Sequence, residues 1–599
     1  MFCITDREFN PAYSSLGDGT WIYPNNGRLA SISLTKDDPD LMKPINDEIA
    51  EVKKEEPEKK PDDKGKKTKD AEPEKKAEIT VRVDWDDIEH RFTIQPPKAG
   101  NLGNLMAFEG KVVYQRSPIT GDQDGKPSLV YYDIEKREEK KIIDNLEQVS
   151  PTADGKSLLV KSSGKYGIIK PEADQKIETP VPTADLAMNL NPKEEWRQIF
   201  NDTWRRYRDF FYDKDMQQVD WNALRTRYGD FIEDARTRWD VSSIQTNLSA
   251  ELSAGHTYTF GGDMEAVSPI VTGYLGIDWE LSNNAYRIKR IIRPASWDTE
   301  VRSPFDHSGS TVQPGDYILA VNGAAVDIAK DPYASFDGLA GKTVSLTVSK
   351  TGKVADAKSI VIKCLTQNEE QNLRYLEWIE QNRQMVDKLS GGNLGYVYMS
   401  NTGGEGQMEL VRMFYGQLPK QGFVIDERFN GGGQLADRFL ELMKRPIVYN
   451  LYWRHGRYQA YPAKANPGPT GMLINGWAGS GGDGLPWAFR ELNTGPIVGE
   501  RTLGILVGPA TGHSLIDGGG ITVPEARLYY NSGKWFDEGV GVKPDYEVWD
   551  DPNLLVQGRD PQMEKVVEEV MKLVRANPLK KTPPPAMENR TADGLNKTQ

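Results

Sequence analysis

The 599-residue sequence has only two cysteines, Cys3 and Cys364, and they lie far apart. Two distant cysteines build neither a disulfide framework nor a Cys/His zinc cluster. No apolar run reaches the roughly eighteen residues of a transmembrane helix, and the charged stretch Asp6–Glu8 falls where a signal peptide needs its apolar stretch. If Met1 is the natural start, we therefore expect a cytoplasmic protein with no membrane partner.

Positive charge is scarce as well, because 75 Lys and Arg residues face 88 Asp and Glu residues, giving a formal net charge of -13. Nucleic-acid binding needs a concentrated basic face, and none stands out in the sequence. The glycine-rich stretch GSGGDG lacks the GK[ST] of a phosphate loop, and no HExxH motif or clustered His/Asp set offers metal spacing. The sequence thus predicts no nucleic-acid partner, no metal and no cofactor.

The length of the chain predicts several domains, because one hydrophobic core rarely serves so many residues. Over residues 1–180, short alternating apolar segments separated by DG-type turns are typical of β-propeller blades. The segments are too few to close a propeller, so either a different sheet forms or the chain begins inside a propeller. Charged residues, Pro and Gly dominate at about 48–78 and predict a disordered insertion.

Two further domains are expected before the middle of the chain. Over residues 190–265, aromatic and aliphatic residues recur three and four apart, which predicts a subdomain of amphipathic helices. Over residues 268–366, strands flank a YLGI loop and the turns of QPGDYILAVNG, which resembles a PDZ domain. That resemblance implies a peptide-binding loop, although a PDZ-like module that only positions its neighbours fits equally well. The loop comprises Tyr274, Leu275, Gly276 and Ile277.

The last domain is expected over residues 367–575, where apolar strands alternate with helices as in βαβ units. Residues 576–599 are rich in Pro and polar side chains and predict a disordered tail. The expected fold class is therefore multidomain: a partial β-propeller, a helical subdomain, a PDZ-like β domain and a mixed α/β catalytic domain.

One serine stands where a nucleophile could be presented. Ser480 follows the apolar strand MLIN and precedes LPWAFREL, which has helical spacing. Acyl transfer by serine needs a hydroxyl at a sharp turn and backbone N–H groups that face the oxyanion. Gly481 can supply one donor, and Gly432 or Gly433, at the end of DERFNGGG, can supply the second. The plain alternative is a small residue in a glycine turn.

The general base must be one of five histidines. Three of them lie in an alternating segment, a polar loop and a hairpin tip, where structural or surface roles are expected: His90, His307 and His455. His256 stands where a helix gives way to an extended segment, and His513 lies closer to Ser480 in sequence. The residues alone leave both open.

Six motifs in order, namely GHTY, YLGIDW, QPGDYILAVNG, DERFNGGG, AGSGGD and EGVGVKPD, resemble the C-terminal part of tricorn protease and its bacterial homologues. The resemblance implies a serine peptidase for short, unfolded oligopeptides that assembles into a homo-oligomer, a hexamer. It assigns the nucleophile to Ser480, the base to His256 and the orienting acid to Glu538. The family has a serine just before the histidine where this chain has Gly255, so the relay would reach Glu538 directly or through water.

Two alternatives compete with this interpretation. A Ser–Lys dyad needs a neutral lysine near the serine, yet none occurs between Lys464 and Lys534, and the guanidinium of Arg501 stays protonated. The second alternative is a catalytically idle scaffold that binds peptides through its PDZ and propeller units. A probe that labels reactive serines would separate the scaffold from the peptidase.

Overall fold

The computed structural model describes residues 1–7, 11–14, 20–38, 41–42, 81–122, 124–183, 186–434, 436–508, 510–588 and 590. It divides the chain into two compact units, Met1–Asn189 and Leu190–Gln599. The insertion expected at about 48–78 lies outside the described residues, as do residues 589 and 591–599 of the expected tail. No helix among the described residues is long and apolar enough to cross a membrane.

Antiparallel strands build the first unit. They are β1 (Phe2–Thr5), β2 (Ala12–Tyr13), β3 (Trp21–Ile22), β4 (Arg28–Ile32), β5 (Phe92–Ile94), β6 (Asn101–Phe108), β7 (Lys111–Ser117), β8 (Ser128–Asp133), β9 (Glu138–Ile143), β10 (Leu146–Pro151), β11 (Leu158–Ser162) and β12 (Lys165–Ile169). Strands β6 to β9 form a four-stranded meander and β10 to β12 a three-stranded one. Val113 and Leu129 of the first meander share a core with Leu158 and Val160 of the second. Successive small meanders are typical of propeller blades.

The second unit opens with three helices, α1 (Pro192–Phe210), α2 (Trp221–Asp234) and α3 (Arg238–Ala250), followed by the short strand β13 (Thr259–Phe260). On α1 the aromatic residues recur at helical spacing, so they form one stripe that is buried against α2 and α3. The stripe comprises Trp196, Phe200, Trp204 and Tyr207. The helical subdomain expected from the periodicity is therefore present.

A PDZ-like sheet follows, with strands β14 (Ile277–Ser282), β15 (Ala285–Ile291), β16 (Tyr317–Val321), β17 (Ala324–Ala325), β18 (Thr343–Ser349) and β19 (Lys358–Lys363). The strands are antiparallel in the order β14-β15-β16-β18-β19, and β17 pairs with β16. Strand β14 therefore lies at one edge of the sheet. Alternate residues of β14, beginning with Ile277, pack into an apolar core that also contains Ile288 and Leu346.

The rest of the unit is an α/β domain. Its elements are α4 (Gln367–Leu389), β20 (Leu394–Tyr398), α5 (Gly404–Gly416), β21 (Gly422–Asp426), α6 (Ala436–Met443), β22 (Tyr449–Tyr452), β23 (Tyr458–Tyr461), β24 (Thr470–Ile474), α7 (Gly481–Glu491), β25 (Ile497–Gly499), β26 (Ala510–Ser514), β27 (Gly520–Pro524), β28 (Tyr546–Glu547), α8 (Pro552–Val556) and α9 (Pro561–Ala576). Strands β20-β21-β24-β25-β28 form a parallel sheet. Helices α5, α6 and α7 cover one face and α4 and α9 the other, as a buried parallel sheet requires.

Two features of this topology position the site. The loops after β21 and β24 leave the carboxyl edge of the parallel sheet side by side, which is where open α/β sheets place their ligands. Strands β26 and β27 do not join that sheet but pair with each other, and β27 also pairs with β13 of the helical subdomain. Residues 510–524 thus belong structurally with the helices, and they bring the segment after α3 to the edge of the parallel sheet.

Candidate active site

Ser480 lies at the turn between β24 and α7, and its backbone is unusual. It has φ 59° and ψ -115°, a region that residues with a side chain rarely adopt. The conformation is held because the Ser480 N–H donates to Oδ2 of Asp483 at 2.9 Å, and α7 begins at Gly481. A strained turn of this kind presents the hydroxyl at the end of the strand, away from the helix backbone.

The hydroxyl meets an imidazole from the helical subdomain. Nε2 of His256 lies 3.0 Å from Oγ of Ser480, within hydrogen-bond range. His256 also has positive φ, 57°, and its carbonyl accepts a hydrogen bond from Oγ1 of Thr522 on β27 at 2.6 Å. The same Thr522 hydroxyl accepts the N–H of Tyr258 at 2.8 Å. One side chain of β27 therefore pins the backbone on both sides of the histidine ring.

His513, the other histidine that the sequence left open, lies away from Ser480. It belongs to β26, where its ring packs against Phe210 at 4.7 Å and its Nε2 lies 3.6 Å from Oε1 of Glu525. Burial lowers the pKa of His513. His90 lies in a 3-10 turn at Ile88–Arg91 rather than in a strand. Of these histidines, the hydrogen bond to Ser480 is made by His256.

Glu538 accepts backbone hydrogen bonds and does not touch the imidazole directly. Its Oε1 accepts the N–H of Gly255 at 2.9 Å, and its Oε2 accepts the N–H groups of Leu506 and Val507 at 2.8 and 3.1 Å. Nδ1 of His256 is buried and has no hydrogen-bond partner among the described residues. The carboxylate therefore holds the residue before the histidine, while the ring nitrogen stays available for a further partner.

The backbone N–H groups of Gly481 and Gly433 lie close to the turn of Ser480. A Cβ added to Gly481 would come within 2.7 Å of the Gly433 nitrogen, so both peptides pack closely beside the serine. Neither N–H has an acceptor among the described residues. The N–H of Gly432, in contrast, donates to Oδ1 of the buried Asn430 at 2.8 Å and is already engaged. Of the three glycines predicted as oxyanion donors, Gly481 and Gly433 thus have N–H groups without an acceptor among the described residues, and the Gly432 N–H has one.

A second buried carboxylate ties the site together. Asp483 accepts the N–H groups of Gly504 and Ile505 at 2.8 and 2.9 Å and a hydrogen bond from the Thr502 hydroxyl, besides the N–H of Ser480. Burial raises the pKa of Asp483, and these donors act against that shift. The carboxylate thus joins the serine turn to the 502–505 loop, whose continuation holds Glu538.

A third carboxylate beneath the site has no partner. Glu427 follows β21 directly and is completely buried, and neither of its carboxyl oxygens has a hydrogen-bond partner among the described residues. Burial raises the pKa of Glu427 well above its usual value, and the nearby Asp483 and Asp426 act in the same direction. Burial therefore favours the protonated form of this carboxyl inside the fold.

An open cavity of about 560 Å³ adjoins the glycines beside the serine. Its walls include Gly433, Gly481 and Gly484 and a set of apolar side chains: Leu440, Ala488, Leu492, Leu506 and Leu528. Three charged side chains also line it, namely Asp437, Glu441 and Lys444. The cavity can hold a side chain of a bound peptide.

The four residues of the expected PDZ loop pack inside the protein. Leu275 and Ile277 are fully buried, and Tyr274 forms a β-bridge with Leu365. The N–H of Gly276 donates to Oε2 of Glu370 on α4 at 2.8 Å. The structure therefore places this loop against α4 rather than beside Ser480.

Several residues that build the site were not singled out from the sequence. Asp483 stands three positions after Ser480, a spacing typical of a capping box, and this signal could have identified it. Thr522 carries no such signal, because its partner His256 lies 266 positions away in the chain. Asn430 accepts the N–H of Gly432 two residues on, a local contact that the glycine run alone did not single out. The buried Thr402, whose hydroxyl has no partner among the described residues, packs against Gly433 and Gly481.

Family models match three parts of the chain. The tricorn protease C1 domain matches residues 192–247, the tricorn protease PDZ domain residues 273–367, and peptidase family S41 residues 393–548. These matches follow the order of the helical subdomain, the PDZ-like sheet and the α/β domain described above.

Individual relatives match over most of this chain. Tricorn protease homolog 1 of Streptomyces coelicolor is 31% identical over 525 residues, which cover 84% of this chain and 48% of the relative. The tricorn protease of Thermoplasma acidophilum is 27% identical over 489 residues, 80% of this chain and 45% of the relative. The chain thus spans about half the length of these curated relatives.

A solved structure shows the same fold. The crystal structure of the tricorn protease superimposes with a TM-score of 0.82 at 23% sequence identity, covering 96% of this chain and 54% of that chain. The multidomain fold class expected from the sequence is confirmed by this match.

Proposed function

The chain carries the C1, PDZ and S41 peptidase domains of the tricorn protease family, and from that premise we propose that it is a serine peptidase acting on short, unfolded oligopeptides. One observation carries the proposal: Nε2 of His256 lies 3.0 Å from Oγ of a strained Ser480, beside two glycine N–H groups without acceptors. A plain glycine turn would need neither the strain nor the histidine.

The geometry supports a two-step acyl transfer. Oγ of Ser480 attacks the scissile carbonyl carbon, and its proton passes to Nε2 of His256. The carbonyl oxygen gains negative charge and accepts the N–H groups of Gly481 and Gly433. The C–N bond then breaks as His256 returns the proton to the leaving nitrogen. Water next attacks the acyl carbon and gives a proton to Nε2 of His256, and the bond from that carbon to Oγ breaks as His256 returns the proton to Ser480.

Glu538 acts in this scheme through the backbone. Its hydrogen bond to the Gly255 N–H fixes the peptide that carries His256, while its second oxygen holds the 506–507 loop. Contact between Glu538 and the imidazole would have to run through a bridging water to the free Nδ1. We assign Glu538 to positioning of the base.

The substrate class follows from the cavity beside the glycines. Leucine, alanine and glycine residues form most of its lining, so we propose that it receives an apolar side chain from the residue whose carbonyl is attacked. Asp437, Glu441 and Lys444 also line it, and because the two acids outnumber the one lysine, an acidic side chain is disfavoured there. Peptides ending the acyl part in Leu or Phe should be preferred over those with Glu.

A covalent probe tests the activity directly. A fluorophosphonate should modify Ser480 of the full chain, seen as a single mass shift that maps to its peptide, and His256→Ala should slow the modification at least ~100-fold. Fluorogenic peptides with Leu, Lys or Glu at the cleaved position then report the preference. A folded chain that labels nowhere would make the peptidase proposal wrong and favour the peptide-binding scaffold.

The hexamer rests on the family resemblance alone. We propose a homo-oligomer, and light scattering of the full chain during gel filtration measures its mass. A mass of one chain at micromolar concentration would contradict it and leave the chemistry of the site untouched.

A further inference from the structure

The edge of the PDZ-like sheet and the loop before it form the place where PDZ domains receive an extended peptide, with backbone N–H groups binding the terminal carboxylate. In this chain the place is occupied by α4, the helix that follows the sheet. The N–H of Gly276 donates to Oε2 of Glu370 at 2.8 Å, and Glu370 is only 5% exposed. A carboxylate of the chain itself therefore takes the position of a peptide's terminal carboxylate.

The edge strand is engaged by the same helix. Nη2 of Arg374 donates to the carbonyl of Ile277 at 2.8 Å, which is an outward-facing acceptor that an added strand would use. Nη1 of Arg374 also contacts Oδ1 of Asp278 at 2.7 Å, and Nε donates to Oε1 of Glu370 at 2.9 Å. Arg374 thus bridges the carboxylate of Glu370, which binds the loop, and the edge strand β14.

The side-chain space beside the loop is filled as well. Leu373 of α4 is fully buried, and a Cβ added to Gly276 would come within 2.7 Å of its Cδ2. On the sheet side, Tyr274 packs against Tyr333 at 4.9 Å, and Trp279 packs against Tyr333 at 5.9 Å. Aromatic side chains on one side and Leu373 of α4 on the other thus occupy the space beside the loop.

Further along its length, α4 packs on the catalytic sheet. Trp378 contacts Tyr398 of β20 at 5.0 Å between ring centroids and Phe429 at 6.2 Å. Phe429 precedes Asn430, whose side chain engages the N–H of Gly432. One helix therefore links the PDZ loop to the loop that carries the candidate oxyanion donor Gly433.

We propose that Glu370 is an internal ligand of the PDZ loop, so that the PDZ unit clamps α4 against the catalytic sheet instead of capturing the C-termini of peptides. The proposal does not depend on the peptidase activity, because it concerns contacts within the resting chain. A buried carboxylate is tolerated there because Arg374 and the Gly276 N–H compensate for its lost hydration. Removing it leaves the Gly276 N–H without that acceptor, while Arg374 keeps Asp278 and the Ile277 carbonyl as partners.

The first test compares two adjacent substitutions to alanine in the full chain. Glu370→Ala should increase the hydrogen exchange rate of the Tyr274–Ile277 segment about tenfold, because the Gly276 N–H loses its acceptor. Gln371→Ala, at an exposed position of the same helix, should exchange like the unsubstituted chain. Acetate should slow the exchange of Glu370→Ala again, and chloride at equal ionic strength should not. Unchanged exchange in a folded Glu370→Ala protein would overturn the proposal.

A second measurement uses chains without a change at the loop, so it holds even if Glu370→Ala does not fold. In the Ser480→Ala background, which prevents cleavage, a fluorescent octapeptide with a free C-terminal carboxylate is compared with its C-terminal amide. With Glu370 in place, the two should bind equally and leave the exchange of Tyr274–Ile277 unchanged. Tighter binding of the carboxylate form by about tenfold or more, with protection of that segment, would show an open PDZ site and overturn the proposal.

Discussion

Gly255 donates its backbone N–H to Oε1 of Glu538 at 2.9 Å, and through this hydrogen bond the carboxylate reaches the peptide next to His256 without touching the imidazole. The family resemblance places a serine at the position of Gly255. Here the space of such a side chain is filled, because a Cβ at 255 would lie 2.7 Å from Cβ of Ile505 and 2.8 Å from Oε1 of Glu538. The missing side chain and the direct backbone contact are therefore two aspects of one arrangement.

Replacing Glu538 tests its positioning role. Glu538→Gln presents an NH₂ group to at least one of the three N–H donors, so we expect fluorophosphonate labelling of Ser480 to slow about tenfold and unfolding to cost about 1–3 kcal/mol less. Asp537→Asn, a neutralised neighbour at an exposed position, should label at the unsubstituted rate. Labelling is followed by intact mass against time. Equal rates for Glu538→Gln and the unsubstituted chain would contradict the role.

Gly255 should not tolerate a side chain. Gly255→Ala forces its Cβ against Ile505 and Glu538, and overpacking of this kind costs about 1–3 kcal/mol, so we expect labelling to slow and the melting temperature to fall. Gly512→Ala is the matched control, because a Cβ there meets nothing within 4 Å. The melting temperature and the rate of fluorophosphonate labelling are measured separately for the two variants. A Gly255→Ala chain that matches Gly512→Ala in both measurements would contradict the packing argument.

The pattern of residues predicted the fold and the parts of the site, but not how the parts are connected. Local signals sufficed for the α1 stripe and for the strand–Ser480–helix unit, since periodicity and glycine act within a few residues. The pairing of β27 with β13 joins residues about 260 positions apart, and no local pattern encodes it. The engagement of the Gly432 N–H by Asn430 is local, two residues apart, but several N–H groups follow Asn430 and the sequence does not say which of them its side chain binds, so Gly432 and Gly433 stayed equivalent.

The PDZ loop shows a different limit. YLGI and QPGDYILAVNG identify the domain, and the domain match supports that identification. Whether the loop is open depends on Glu370, which lies in the next helix beyond the domain. In the sequence, this glutamate looks like any other polar residue on the surface of a helix. Sequence patterns report the fold of a module more readily than the occupancy of its ligand site.

The candidate oxyanion donor Gly433 can be tested by a single methyl group. It has φ 137°, and a Cβ there would come within 2.6 Å of the Gly403 nitrogen, so Gly433→Ala must displace the peptide. Loss of one oxyanion donor lowers kcat about 10²–10³-fold in serine peptidases. Gly404→Ala, where a Cβ meets nothing within 4 Å, should keep kcat. The kcat of each variant is measured from hydrolysis of a fluorogenic peptide at saturating concentration. An unchanged kcat for Gly433→Ala would exclude this donor.

Thr522 offers a test of the backbone around the base. Thr522→Val keeps the shape of the side chain but removes the hydroxyl that holds the His256 carbonyl and the Tyr258 N–H, so we expect kcat/KM to fall about tenfold. Thr522→Ser keeps the hydroxyl and should retain most of the activity. If valine and serine at this position perform alike, the hydroxyl does not position His256.

From the buried carboxyl of Glu427 we predict how the free energy of unfolding depends on pH. Its pKa in the folded chain is raised well above the ordinary 4.5 by burial, so the fold favours the protonated acid. Below pH 4.5 the acid is protonated in the folded and unfolded chains alike. As pH rises above that value, the unfolded chain gains stability by releasing the proton, by about 1.4 kcal/mol per pH unit until the folded pKa is reached.

Glu427→Gln removes this ionisation while keeping the shape of the side chain. The variant should therefore gain melting temperature relative to the unsubstituted chain as pH rises from 5 to 8, and the difference should be smallest at pH 5. Thermal unfolding at four pH values in one ionic strength measures the difference. Glu441→Gln, at an exposed site, serves as a control whose difference should stay constant. A constant difference for Glu427→Gln as well would mean that the carboxyl is ionised inside the fold, and a cation or water would then have to reach it.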